Sequence, residues 1–370
     1  EALWLSTALN HTPADGLLQL LTVADPRIRA AAVRTVGRTT AGLTQLAIAV
    51  EDEHPRVRLE AVSALRRLGT KEAADLALRA LDYEVDTNLD FALEMTVRDT
   101  RDQWLPAMQA GKTVLGGKAT RLSYALSKVN DPRAIEALAE VINSGTLKGD
   151  DLGNALSTIA SLGTPAQVGK LLDLAENNPR WLSSIARGAA FNQVAPESKE
   201  RVVPFLKSEE AMVRMAAATL CGAWKLTGAE KELIRGAIAA KASREVLAMT
   251  TALARIGAMD ALARLSDAGT PVELRALAIA AWAGVNPEKT ATSAAKILRG
   301  LKDASVAALV FKAFLGREEG PAALAKALAG NSLPKPIAVA GSKTVSISGR
   351  HVPQLIAALN KAGGLKPISQ

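Results

Sequence analysis

The sequence predicts an all-α fold, an α-solenoid of about eleven stacked helix pairs, on three observations. A short motif recurs along the whole length. Apolar residues follow each copy at helical spacing. Prolines and glycines fall between the copies, where helices start and stop. Composition agrees: aromatics are only 3% while hydrophobic residues reach 48%, so Ala, Leu and Val carry the burial. Small side chains suit helices packed closely on neighbours, whereas a sandwich or barrel needs more β-branched and aromatic runs. A chain of 370 residues is long for one globular core, but in a repeat array each unit contacts only the next.

The motif is plainest in Asp25-Pro26-Arg27-Ile28-Arg29-Ala30 and in Glu53-His54-Pro55-Arg56-Val57-Arg58. It returns in Met212-Val213-Arg214-Met215 and Glu273-Leu274-Arg275-Ala276, always an apolar residue before Arg. Equivalent positions complete a set of eleven anchors: Ile28, Val57, Leu89, Leu122, Leu152, Ser184, Val213, Val246, Leu274, Val306 and Ile337. They recur every 28 to 33 residues or so; Leu89, Ser184 and Ile337 are the least regular. Apolar residues follow at the 3.6 period, as in Ala31, Ala32 and Val36, or Ala61, Ala64 and Leu65. Second helices are expected at Leu43 to Val50, Ala73 to Leu81, Ala134 to Ile142, Leu324 to Leu328 and Val352 to Leu359.

Prolines follow capping residues in Thr12-Pro13, Asp25-Pro26, Asp131-Pro132, Thr164-Pro165, Thr270-Pro271 and Asn286-Pro287. There the cap satisfies an orphan amide and proline has none to lose. Gly37, Gly69, Gly163, Gly257 and Gly316 are expected to close first helices in the left-handed conformation. A lone helix pair cannot bury its apolar face, so the pairs must stack, and residues 1–370 read as one continuous superhelical domain. The opening Glu1-Ala2-Leu3-Trp4-Leu5 already reads as helix, the mark of a segment excised from a longer protein.

Several chemistries lack the residues they need. No run of eighteen apolar residues is present to span a membrane. The single cysteine, Cys221, excludes a disulfide framework and multi-cysteine metal or haem sites, and its spacing puts it on a buried stripe. His11, His54 and His351 have no metal-type partner at helical spacing; His54 stands where other repeats carry a cap. Trp224 and Trp282 fall on the apolar side of their helices, while Trp4, Trp104 and Trp181 lie near helix starts. Gly111-Lys112-Thr113-Val114-Leu115-Gly116-Gly117-Lys118 departs from a phosphate loop, with five residues between the bracketing glycines and Ala119 after the lysine. It reads as a mobile inter-helix loop, with Lys112 and Lys118 as candidate contact residues.

Arg29, Arg58, Arg214 and Arg275 occupy one repeat position. They form either a phosphate-binding ladder or a set of inter-repeat pairs with acids such as Asp25, Glu53 or Glu209. Charge is uneven: residues 1–100 hold 11 basic and 15 acidic side chains, residues 301–370 hold 9 and 3. A basic end favours an acidic protein, anionic lipid or nucleic acid.

An apolar residue before Arg, often after Asp-Pro and followed by Ala-rich helix, resembles the HEAT repeat over essentially the whole chain. A narrower likeness runs through Asp25 to Arg38, Glu51 to Val62, Leu89-Asp90-Phe91-Ala92-Leu93 and on to Trp104-Leu105-Pro106-Ala107. It continues in the Gly111-Lys112 loop and in Ala362-Gly363-Gly364-Leu365. These segments resemble the helical middle of the large planctomycete-type membrane-bound dehydrogenases. That resemblance implies a sugar-dehydrogenase-like propeller before this segment, a c-type haem module with Cys-x-x-Cys-His after it, and a periplasmic location. The chain contains neither the propeller nor the haem motif. No catalytic, cofactor-binding or metal-ligating residue carries over, and haem c is expected only in the flanking module.

The expected function is therefore a non-catalytic scaffold that docks flanking modules or another protein. The alternative is a nucleic-acid-binding solenoid of the DNA-glycosylase kind, supported by the pI near 9.6 but short of aromatics to stack a flipped base. A third reading, a pigment-handling enzyme like the bilin lyases, has only the repeat in its favour.

Overall fold

Each of the eleven anchors falls at the third or fourth residue of an α-helix. The computed structural model describes residues 14–37, 42–110, 112–129 and 131–365. Among the described residues there are 22 α-helices and no strand, the all-α solenoid the repeat demands. The helical opening Glu1 to Leu5, His11, the Thr12-Pro13 cap and Gly111 lie outside them. The chain forms two compact units, Glu1–Gly163 and Thr164–Gln370.

In the first unit the helices are α1 (Ala14–Leu20), α2 (Pro26–Val36), α3 (Leu43–Ala49), α4 (Pro55–Leu68), α5 (Lys71–Ala77), α6 (Thr87–Asp99), α7 (Arg101–Gln109), α8 (Ala119–Lys128), α9 (Pro132–Asn143) and α10 (Gly149–Leu162). First helices pack on first helices in the order α2, α4, α6, α8, α10, and second helices α3, α5 and α7 follow in a parallel row.

The second unit holds α11 (Pro165–Asn177), α12 (Leu182–Ala189), α13 (Ala211–Ala223), α14 (Glu230–Ala239), α15 (Ser243–Arg255) and α16 (Met259–Leu265). It continues with α17 (Val272–Ala283), α18 (Pro287–Gly300), α19 (Ala304–Leu315), α20 (Gly320–Leu328), α21 (Lys335–Ser348) and α22 (Pro353–Gly363). The first-helix row is α12, α13, α15, α17, α19, α21, and α18, α20 and α22 stack beside it. The second-helix place after α12 is taken not by an α-helix but by the 3-10 segment Lys199–Lys207, which packs mainly on α13. In sequence, the division between units falls between α10 and α11, the two helices of the fifth pair.

Most of the helix starts marked by a capping residue and a proline follow the expected chemistry. Asp25 accepts a hydrogen bond from the Arg27 amide at 2.9 Å, Asp131 from Arg133 at 3.0 Å and Asn286 from Lys289 at 3.0 Å. Thr164 and Gln167 form a reciprocal capping box. His54 caps α4, its Nδ1 accepting from the Arg56 amide at 3.2 Å. The hydrogen bonds from Arg27 and Arg133 hold the Asp25 and Asp131 carboxyls down at about 2, so both caps stay ionised far into acid. Thr270-Pro271 differs: Thr270 closes a turn through its amide to the Asp267 carbonyl, and Pro271 is itself the extended cap before Val272.

The glycines correct the sequence reading in part. Gly69 and Gly257 are left-handed, with φ of 66° and 84°. Gly37 and Gly316 are right-handed and Gly163 is extended. Gly37 is required by proximity instead, since a Cβ there would lie 2.2 Å from the Cβ of Ala64 on the next first helix. The anchors also shift in places. Ile28 is 42% exposed and the buried set of α2 runs through Arg29, Ala30, Ala32, Val33 and Val36. In α12 the core residues are Leu182 and Ile185 rather than Ser184. A helix buries an arc, and its neighbours decide where that arc is centred.

Two glycine-to-alanine changes should act in opposite directions. Gly37→Ala forces apart two helix backbones and should destabilise by about 1–3 kcal/mol. Gly300→Ala, at the last turn of α18 with nothing within 4 Å of the added methyl, should stabilise by about 0.4–1 kcal/mol through the unfolded chain. Thermal melts of both variants against the parent check the pair, and the prediction fails if the midpoints move together.

Candidate functional site

Three of the four recurrent arginines make one contact in common. Each sits at the fourth residue of a first helix and folds back so that its Nη1 donates to two successive carbonyls of the loop before that helix. Arg29 takes Val23 and Ala24 at 2.9 and 3.0 Å. Arg58 takes Asp52 and Glu53 at 2.8 and 3.0 Å. Arg214 takes Ser208 and Glu209 at 2.7 and 2.8 Å. The fork geometry of guanidinium leaves other nitrogens to point away, and these reach the next repeat.

Arg29 grips both carboxylate oxygens of Asp52 at 2.8 Å, Arg58 donates to the Glu84 carbonyl at 2.7 Å, and Arg214 bonds the buried Glu245. The hydrogen bonds to Asp52 and Glu245 raise the Arg29 and Arg214 pKa further. Arg58 is 3% exposed and lies 5.3 Å from the centre of the Tyr83 ring. Arg275 makes neither contact, and its Nε is buried without a hydrogen-bond partner among the described residues. Of the carboxylates suggested by sequence, Glu53 pairs with Arg29 at 3.4 Å, whereas Asp25 pairs with Arg27 and Glu209 contributes only its carbonyl.

Sequence reasoning missed two arginines and a glutamate. Arg121 precedes its anchor instead of following it, is 6% exposed and bonds Asp82 at 2.6 Å. Burial alone would push the Asp82 carboxyl up, but hydrogen bonds from Lys118 and Arg121 outweigh it and hold it low. Arg350 lies outside any anchor helix and donates to the Arg317 carbonyl at 2.7 Å. Glu60 is buried on α4 and receives Arg34 of the preceding first helix. An Arg or Glu inside an Ala-rich stripe was the available signal in the last case.

The segment after Gly111 is tied down at several points. Val114 and Leu115 are buried, the Leu115 amide bonds Asp75, and Lys118 bonds Asp82 at 2.7 Å. Lys112 is exposed, with its amide on the Ala107 carbonyl at 3.0 Å. Gly116 and Gly117 turn the chain with φ of 70° and 68°, next to Leu115 at 55°. The loop therefore docks on the repeats rather than swinging free.

Trp104 is fully buried with its indole N–H on the Val97 carbonyl at 3.1 Å. Trp224 is buried, Trp282 half-buried beneath Lys289 at 5.6 Å. His54 and His351 lie far apart in sequence, and among the described residues no cluster of three or more His, Cys, Asp or Glu is placed to hold a metal. Cys221 is buried, which pushes its thiol up to about 12.

Residues 14–97 match the family model described as HEAT repeats. Among curated proteins none matches this chain. Of solved structures, an engineered protein aligns at 16% identity over 94% of this chain and 97% of its own, with a TM-score of 0.30. Kap121p aligns at 13% identity over 94% of this chain and 44% of its own, TM-score 0.45. Importin beta aligns at 11% over 94% and 64%, TM-score 0.35. The chain thus spans less than half of Kap121p and under two thirds of importin beta.

Breaking the Arg29–Asp52 pair from one side should cost about 1–3 kcal/mol, because the remaining partly buried charge loses its charge-assisted hydrogen bonds. Arg29→Met combined with Asp52→Leu should lose less than the two single changes together. Hydrogen exchange of α2 and α4 amides reads this, and additive losses would show that the two side chains do not interact. Cys221 should resist iodoacetamide at pH 8, where a thiol titrating near 12 is almost wholly protonated, and react at once in denaturant. Rapid labelling of the native protein would contradict its burial.

Proposed function

We propose that this chain is a non-catalytic HEAT-type scaffold that docks other protein modules. The observation that carries the reading is where the recurrent charged side chains go. Arg29, Arg58 and Arg214 are used between repeats, so the motif serves stacking and leaves the outer faces free to differ from repeat to repeat. Those faces expose large apolar side chains, including Phe91, Phe191, Met212 and Ile347, of the kind that interfaces cover.

The finer reading rests on the family resemblance of the Asp25 to Arg38, Glu51 to Val62 and Leu89 to Ala107 segments. On that basis the scaffold lies in a periplasmic redox protein, between a sugar-dehydrogenase-like propeller and a c-type haem module. The chain itself does not fit haem c, which needs two cysteine thiols; it has one cysteine and that one is buried. Electron transfer would belong to the flanking modules. The competing reading is nucleic-acid binding, favoured by charge: residues 164–370 hold 27 basic and 16 acidic side chains, residues 1–163 hold 18 and 21.

Two measurements separate these readings. The coding sequence around this segment should encode a propeller upstream and Cys-x-x-Cys-His downstream; a start codon just before Glu1 and a stop just after Gln370 would overturn the redox context. A labelled 20-mer duplex DNA, about two helical turns, should show no shift with the purified chain at low salt. Binding that weakens steeply with added salt would put the nucleic-acid reading first.

A further inference from the structure

The second unit carries a groove whose arginines have no acidic counterpart among the described residues. It runs along α13 and α15 and encloses about 350 Å³. Ala218, Thr219, Ala248 and Thr251 line it, with Arg244 and Arg255 at the α15 end positions. Residues 244, 248, 251 and 255 follow the spacing i, i+4, i+7, i+11, which is one stripe of a helix. The floor is shallow and apolar because the helices approach closely: a Cβ on Gly222 would lie 3.1 Å from the Ala252 Cα.

Arg244 and Arg255 are both exposed, and neither makes a salt bridge or side-chain hydrogen bond among the described residues. The nearest acid in sequence, Glu245, is buried and taken by Arg214. This contrasts with the groove on α2 and α4 in the first unit, where Arg27, Arg34 and Arg56 line the walls but are matched by Asp25 and Glu60. Ala190 closes one side of the second-unit groove and is followed by Phe191, 83% exposed.

We infer that this groove binds an acidic peptide segment of a partner protein. Its small aliphatic side chains would seat on the alanines and threonines, and its carboxylates would pair with Arg244 and Arg255. Eleven residues of helix separate the two arginines by about 16 Å, so the carboxylates belong near the two ends of a short segment. The inference deepens the scaffold reading and rests on it, by assigning one docking surface and the chemistry of its occupant.

The test is fluorescence anisotropy with the whole chain and a labelled ten-residue peptide, two glutamates at each end and alanines and leucines between. A second peptide replaces every glutamate with lysine. The glutamate peptide should bind and the lysine peptide should not. Arg244→Glu with Arg255→Glu should weaken binding about tenfold or more, as expected for two reversed interface charges. Lys231→Glu with Lys296→Glu, exposed lysines on α14 and α18, makes the same change in net charge and should alter affinity less than about twofold. Ala248→Glu, which fills the floor, should also abolish binding; circular dichroism confirms that each variant folds.

Equal weakening by both double variants would mean a general field and overturn the groove. So would binding of the lysine peptide, no binding of the glutamate peptide, or preferential binding of the duplex DNA at Arg244 and Arg255. Any of these removes this groove while leaving the scaffold reading to be decided by the flanking coding sequence.

Discussion

An alanine-lined helix gains little from any single contact, so its stability depends on how closely and in what register it meets its neighbours. With aromatics at 3%, this protein cannot rely on large side chains to key one repeat into the next. The guanidinium clamp supplies that register. Arg29, Arg58 and Arg214 each hold two carbonyls of their own loop and an acceptor on the following repeat. Loop carbonyls that precede each helix gain a partner in the same step. Where helices come close, as at Gly37 against Ala64, a glycine is needed because a Cβ would collide, and at Gly222 against Ala252 an added Cβ would make a tight contact at 3.1 Å.

The clamps also explain why charge is distributed as it is. In the first unit most arginines on the first helices are answered by carboxylates, among them Asp52, Glu60 and Asp82. Such partly buried pairs depend on geometry more than on number. In the second unit basic side chains exceed acidic ones, 27 to 16, and the excess includes exposed arginines beside small-residue grooves. The repeats thus do two things with one residue type. Arg29, Arg58 and Arg214 point into the stack, while Arg244 and Arg255 lie exposed at the groove and remain available to another molecule.

Motif spacing was sufficient to find the eleven anchored first helices among the described residues, because the pattern reflects a local requirement, an apolar stripe at the 3.6 period. Caps at Asp25, His54, Asp131, Thr164 and Asn286 were readable for the same reason, since a cap and its amide lie within three residues. Pro271 was misread because its threonine joins a turn to Asp267 that the dipeptide does not reveal. The Lys112 to Lys118 loop looked free in sequence, whereas Asp75 and Asp82, some forty residues earlier, hold it down.

The sequence by itself determined the first helices, their order and most of the cap–proline starts, all of which arise from interactions a few residues long. Only the tertiary structure decided which arginines are buried, which carboxylates they meet, which glycines answer a close approach and which arc of α15 faces outward. These depend on contacts between residues about 23 to 40 positions apart, set by how one repeat lands on the next, and no local spacing encodes that distance.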